Sequence, residues 1–237
     1  MGTYYYLKDK KSDEGLQPVY EDDYLQTIFS IAKKNGLKIN DGIILKELNR
    51  KKAKTRKSKC IILIDGSNFY FKLKDLDLHD LLNFDFSGFT KMLGGEENEV
   101  VKATYYVGKI RTDGTEKTQI LFNNQRKLLA HLKRHRYTYS LGYLMKTDGK
   151  YHEKGVDVNI AVDILVATYE NLCDKVILVS SDTDLLPAIL KAKEKGKSIE
   201  YIGFSHKPSV AMVANCSASR LLTKADLTKF IKRDKKQ

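Results

Sequence analysis

The chain has 237 residues, which suits one main domain with an appendage. A hydrophobic share of 42 % and a charged share of 30 % allow a packed core and exclude wholesale disorder. The formal net charge of +12 favours a polyanionic partner, and no apolar run approaches the roughly 18 residues of a membrane span, so no membrane partner is expected.

The opening Met-Gly-Thr-Tyr-Tyr-Tyr leads into charged residues rather than an apolar stretch, so no secretory leader is expected. Tyr6 stands where myristoylation of Gly2 would need Ser or Thr. Tyr24, Leu25, Ile28, Phe29, Ile31 and Ala32 form an apolar stripe that predicts a helix over 20–34, stopped by Asn35-Gly36. A second short helix is expected over 41–50. The run 46–59 then holds eight basic residues against one acid and reads as a solvated linker or a polyanion-binding arm. Two such helices bury little alone. This N-terminal segment is therefore expected to pack on the main domain or on a partner, either a second copy or another protein.

From Cys60 onward the pattern becomes regular. Apolar runs predict strands over 60–64, 100–107, 137–144, 175–179 and 198–202. Helical periodicity falls between most of them, over 69–76, 86–93, 117–135, 156–170 and 185–195. This alternation predicts an α/β fold with a central, mainly parallel sheet. Thr147-Asp148-Gly149-Lys150 has the residues of a hairpin tip. The expected division is a helical extension with basic linker over 1–59, an α/β domain over 60–228 and a basic tail over 229–237. Cys60, Cys173 and Cys216 form no CxxC pair; they suit buried, reduced thiols in a cytoplasmic protein.

In an open parallel sheet, ligands gather at the carboxyl ends of the strands. The run Ile61-Ile62-Leu63-Ile64 leads straight into Asp65-Gly66-Ser67-Asn68, and Val176-Ile177-Leu178-Val179 into Ser180-Ser181-Asp182-Thr183-Asp184. Asp157 opens a helix just after Lys154-Gly155-Val156. If these edges coincide, Asp65, Asp157, Asp182 and Asp184 converge, and carboxylates so crowded need cations to neutralise them. Mg²⁺ or Mn²⁺ matches an all-oxygen donor set, and such a centre suits in-line displacement at phosphorus. The Asn68 amide can orient water or a phosphate oxygen, and Ser180 and Ser181 offer hydroxyls beside the acids. The plainer reading of any one of these aspartates is a helix N-cap, for example Asp182 capping a helix that begins near Asp184. Asp163 lies about 120° around the helix from Asp157 and either supports the site or caps a core polar group.

The segments 61–70 (IILIDGSNFY), 154–163 (KGVDVNIAVD) and 176–190 (VILVSSDTDLLPAIL) together resemble the three motifs of NYN domains of the LabA-like group, relatives of the PIN-domain nucleases. The resemblance covers about 60–203. It implies a PIN-like three-layer fold and metal-dependent ribonuclease activity. It maps the acidic cluster onto Asp65, Asp157, Asp182 and Asp184 with Asn68 beside it, and Asp163 matches a recurrent family position. Ser181 stands where the family often has glycine. Some relatives bind RNA without cutting it, but every acid that the motifs require is present here. Residues 1–59 lie outside the resemblance.

RNA, and single-stranded RNA in particular, is the expected substrate. The segment 117–136 carries six lysines and arginines and no acids. Its apolar Ile120, Leu121, Leu128, Leu129 and Leu132 are expected to face the sheet, leaving Arg126, Lys127, Lys133 and Arg134 to meet phosphates. Lys154 is placed to contact the scissile phosphate. His131 and His135 have the i, i+4 spacing of a metal pair but no third ligand, so they are assigned to the basic face. Tyr70, Phe71, Tyr143 and Tyr151 are candidates to stack unpaired bases. The competing expectation is a catalytically inactive RNA-binding or scaffold module. An aspartate-nucleophile phosphatase is disfavoured because Asp65-Gly66-Ser67 lacks the Asp-x-Asp pair, and GxGxxG and GxxxxGK[ST] are absent.

Overall fold

The computed structural model describes residues 5–6, 18–19, 57–147 and 150–231. The chain divides into two units, Met1–Arg56 and Lys57–Gln237. In the first, β1 (Tyr5–Tyr6) pairs antiparallel with β2 (Pro18–Val19). The helices expected over 20–34 and 41–50, most of the basic run over 46–59, the Asp148-Gly149 tip, the side chain of Tyr151 and residues 232–237 lie outside the described residues.

The second unit is built on strands β3 (Ser58–Asp65), β4 (Asn98–Lys109), β5 (Thr138–Thr147), β6 (Lys150–Lys154), β7 (Lys175–Val179), β8 (Ser198–Phe204) and β9 (Ala218–Leu222). They form one sheet in the order β6-β5-β4-β3-β7-β8-β9. Every neighbouring pair is parallel except β5 with β6, which pair antiparallel from Tyr143↔Lys154 to Thr147↔Lys150. The helices are α1 (Gly66–Lys74), α2 (Phe86–Gly94), α3 (Glu116–Arg134), α4 (Val156–Tyr169), α5 (Leu186–Glu194), α6 (Val210–Asn215) and α7 (Lys224–Thr228). This is the α/β, PIN-like three-layer architecture with a mainly parallel central sheet.

A strand covered on both faces reads as an apolar run, and β3 does so from Cys60 to Ile64. Cys60, Ile62 and Ile64 enter one core with Phe69, Phe84, Phe86 and Phe89, drawn from α1, α2 and the segment before α2. Ile61 and Leu63 enter the other with Ile160 and Ile164 of α4 and Ile189 of α5. Asp65 ends this buried run and is itself only 5 % exposed. The chain runs from β3 outward through β4 and β5, then returns to the other side of β3 for β7, β8 and β9. The strand order therefore reverses between β3 and β7, the position where open α/β sheets bind ligands.

One charged cluster ties the layers together. Glu200 on β8 is buried; its carboxylate accepts from Arg220 on β9, with Arg220 Nη2 at 2.8 Å, and from Lys175 at 3.3 Å. The same guanidinium donates to the carbonyls of Met92 (3.1 Å) and Leu93 (2.8 Å) in the last turn of α2. Those carbonyls have no partner within their own helix, so Arg220 satisfies them while it neutralises Glu200.

The expected face of α3 needs correction. Leu132 is buried and Leu128 and Leu129 are half-buried, but Ile120 and Leu121 are exposed, at 52 % and 46 %. Gln125 explains the change: its amide donates to the Gly108 carbonyl at 2.7 Å and accepts from the Ile110 N–H at 2.9 Å. That fixes Gln125 at the end of β4, and Ile120 and Leu121, in the turns before it, stay exposed.

Candidate active site

Asp65 leaves β3 and caps α1. Its Oδ1 accepts from the Asn68 N–H at 3.0 Å and its Oδ2 from the Ser180 hydroxyl at 2.9 Å. Gly66 makes the strand-to-helix turn possible. A Cβ there would stand 2.3 Å from the Tyr105 ring and 2.6 Å from the Tyr106 carbonyl oxygen, and the Tyr105 hydroxyl donates to the Gly66 carbonyl at 3.2 Å. The buried Ser180, just past β7, accepts from the Asp182 N–H at 3.2 Å while donating to Asp65. One hydroxyl thus links the acids of two neighbouring strand ends.

Asp182 caps the short 3-10 turn Thr183–Leu185, accepting from the Asp184 N–H at 2.9 Å. Asp157 sits in the first turn of α4, brought round from β6 by Gly155, whose φ of +82° lies in the left-handed region that suits glycine. Asp65, Asp157 and Asp182 line one open cleft of about 340 Å³ together with Ser67, Asn68, Phe71, Lys72 and Val156. Asp65 and Asp182 both act as caps, which leaves room for a further ligand because each carboxylate oxygen has a second lone pair to offer.

The remaining sequence candidates are placed elsewhere. Asp184 is exposed in the 3-10 turn and is not among the residues lining the cleft. Asp163 accepts from the Tyr106 hydroxyl at 2.5 Å, the core-capping alternative. Burial, reinforced by that acceptor, pushes the Tyr106 phenol well above its ordinary value. Ser181 shares a hydrogen bond with the Tyr201 hydroxyl at 3.0 Å. Lys154 is exposed at the end of β6, three residues before Asp157. Arg126, Lys127, Lys133 and Arg134 are exposed on α3, away from the cleft lining. His131 and His135 do not join that basic face. His131 Nε2 lies 2.9 Å from the Phe84 carbonyl and His135 Nδ1 2.7 Å from the Ser87 hydroxyl, which pins α3 to the start of α2.

Lys72 is the cleft residue that the sequence reading missed. It follows Asn68 by one helical turn, and that spacing was the available signal.

The donor set is hard oxygen throughout, but among the described residues no group of three or more His, Cys, Asp or Glu side chains stands together as a metal cage. Oxygen donors of this kind match a hard cation such as Mg²⁺ or Mn²⁺, which commonly takes only one or two carboxylates and keeps several waters.

An acid-lined cleft at the switch point of a PIN-like sheet defines the class of protein. The NYN domain family model matches residues 59–223, and the chain belongs to the NYN domain family, within the PIN-like nuclease superfamily. The chain is 46 % identical over 48 residues to an uncharacterized protein of Methanocaldococcus jannaschii, MJ0482, a match spanning 20 % of each. Among solved structures it is similar to a protein of unknown function from Vibrio parahaemolyticus, VPA0982, with a TM-score of 0.53 and 24 % identity. That alignment covers 71 % of this chain and 94 % of the other, and it bears on fold alone.

Proposed function

We propose that the protein is a metal-dependent ribonuclease that hydrolyses phosphodiester bonds of RNA in the cleft between the ends of β3 and β7. The observation that carries this reading is the placement of Asp65, Asp157 and Asp182, from three separated stretches of chain, along one cleft beside Asn68. The +12 net charge supports a polyanionic substrate. Among the described residues no helix is long and apolar enough to cross a membrane. The three cysteines are buried and unpaired, which favours a reducing, cytoplasmic setting.

Asp65, Asp157 and Asp182 are the cleft acids from which one or two carboxylates, with water and substrate phosphate, would hold Mg²⁺ or Mn²⁺. When bound, the cation supplies Lewis acidity: it eases deprotonation of water and offsets charge developing at phosphorus. Asp65 is held rigid because each of its oxygens already accepts one hydrogen bond. Ser180 links the Asp65 and Asp182 segments, and the Asn68 amide, in the cleft lining, would orient the attacking water or a non-bridging phosphate oxygen.

The test is cleavage of a mixed RNA pool with Mg²⁺, with Mn²⁺ and with neither. The parent should release fragments only with metal, and Asp65→Asn should cut at background level while still binding RNA. Equal cleavage by parent and Asp65→Asn in the same metal would sink the assignment. A second reading, a catalytically inactive RNA-binding module, is favoured by the lack of a three-residue metal cage among the described residues. It predicts RNA binding with no fragments in either metal.

A further inference from the structure

Helix α1 turns two faces in opposite directions. Phe69 and Leu73 are fully buried in the core, whereas Asn68, Phe71 and Lys72, at i, i+3 and i+4, line the acidic cleft. Phe71 keeps 61 % of its surface exposed, so core packing does not account for an aromatic residue there. Its neighbour Tyr70 meets it edge-on, with ring centroids 5.5 Å apart.

The turn after β8, at the same carboxyl edge of the sheet, meets α1 at Lys72. The Lys72 ammonium donates to the Lys207 carbonyl at 2.8 Å. Lys207 Nζ lies 2.7 Å from Asp75 Oδ2, and His206 Nε2 lies 3.6 Å from that same oxygen. The Asp75 carboxylate is thus shared by Lys207 and His206, while the Lys72 ammonium is held against the backbone of the same turn, so two lysine charges stand near one carboxylate at the margin of the acidic cleft. Partial burial, then the Lys207 charge, hold the Lys72 pKa below its ordinary value; a phosphate at this spot would offset the repulsion between the two lysines.

We propose that Phe71, Lys72 and Lys207 form a nucleotide subsite at the margin of the acidic cleft, in which an unpaired base stacks on the Phe71 ring while the two ammonium groups hold that nucleotide's phosphate. The inference rests on the ribonuclease reading and adds the form of the substrate. In a duplex, both faces of an internal base are covered by its stacked neighbours, so the ring can engage only a single-stranded segment or a frayed end. The carboxylates repel the backbone everywhere except where these cations admit it, so the subsite also sets which phosphate is presented to Asp65 and Asp157.

The test uses the full chain and a short labelled oligouridylate. Binding is read by fluorescence anisotropy in EDTA, and cleavage of the same oligomer is read separately in Mn²⁺. Phe71→Ala should weaken binding about tenfold, the scale of one stacked base, and Phe71→Tyr should recover most of that loss. Lys72→Met should lower the slope of log affinity against log salt by about 0.7, the value of one phosphate contact on a single strand. The parent should favour the single strand over a blunt duplex, and Phe71→Ala should narrow that preference. Parent-like binding by both Phe71→Ala and Lys72→Met, or a duplex bound as tightly as the single strand, overturns the subsite. The EDTA arm separates this proposal from the nuclease reading. A parent that never cuts, with binding still lost in Phe71→Ala, upholds the subsite and removes the nuclease. A parent that cuts, with both Phe71→Ala and Lys72→Met binding normally, does the reverse.

Discussion

A methyl group on Gly66 has nowhere to go. One of its contacts, the Tyr106 carbonyl, belongs to the central sheet and cannot swing aside, and the other is a Tyr105 ring that is itself fully buried. Gly66→Ala should therefore destabilise the protein by about 2 kcal/mol, in the range of overpacked cores, measurable as a lower denaturant midpoint at unchanged slope. Ser180 tests a different property. Ser180→Ala removes the donor to Asp65 Oδ2 and the acceptor for the Asp182 N–H, but no proposed metal ligand. The expected outcome is a loss of about 10- to 100-fold in metal affinity or activity, typical for a partner that orients ligands. A metal titration of the cleavage rate checks it, and an unchanged half-saturating metal concentration with parent-like rate would deny Ser180 that role.

Among elements, β9 depends on one side chain to hold α2 to the sheet. Arg220→Met leaves Glu200 with Lys175 alone and strips the Met92 and Leu93 carbonyls of their donor. We expect a loss of about 3 kcal/mol by equilibrium unfolding, as for other broken buried pairs. Less than about 1 kcal/mol would mean water replaces the guanidinium without difficulty. Of the five strands that the sequence revealed, 60–64 and 175–179 stand out most because they are apolar runs buried on both faces. The run 175–179 matches its strand in full, 60–64, 100–107 and 198–202 lie within theirs, and 137–144 starts one residue early. Strand β9 was not visible because Ala218-Ser219-Arg220 carries no such run, and α6 and α7, of six and five residues, are too short to show a period. The acids of the cleft were legible because strand ends are local features. The cationic margin was not: Lys72 meets Lys207 across 135 residues, a contact created by the strand order and invisible in any window of sequence.

For the whole molecule, the buried thiols impose a limit at high pH. Loss of solvent pushes Cys60 and Cys216 up to about 11, from an ordinary value of 9.0. Between these values the unfolded chain releases protons that the folded chain retains. Stability should then be full below about pH 9 and fall as the pH climbs towards about 11, the sign required when folding raises an acid's pKa. Thermal unfolding followed from pH 8 to 11 checks this, and Cys216→Ala should flatten the slope; a melting temperature independent of pH across that window would contradict it.

The bond between Asp65 and Ser180 spans 115 residues. Because β3 is made first and receives its second neighbour only when β7 arrives, a chain emerging from the ribosome carries Asp65 and Asn68 long before it carries the hydroxyl that steadies them. On the proposed ribonuclease function, such an unfinished polypeptide, still tethered to messenger and ribosomal RNA, would lack a complete acidic cleft. Topology would then defer any cutting until synthesis has passed the final acid.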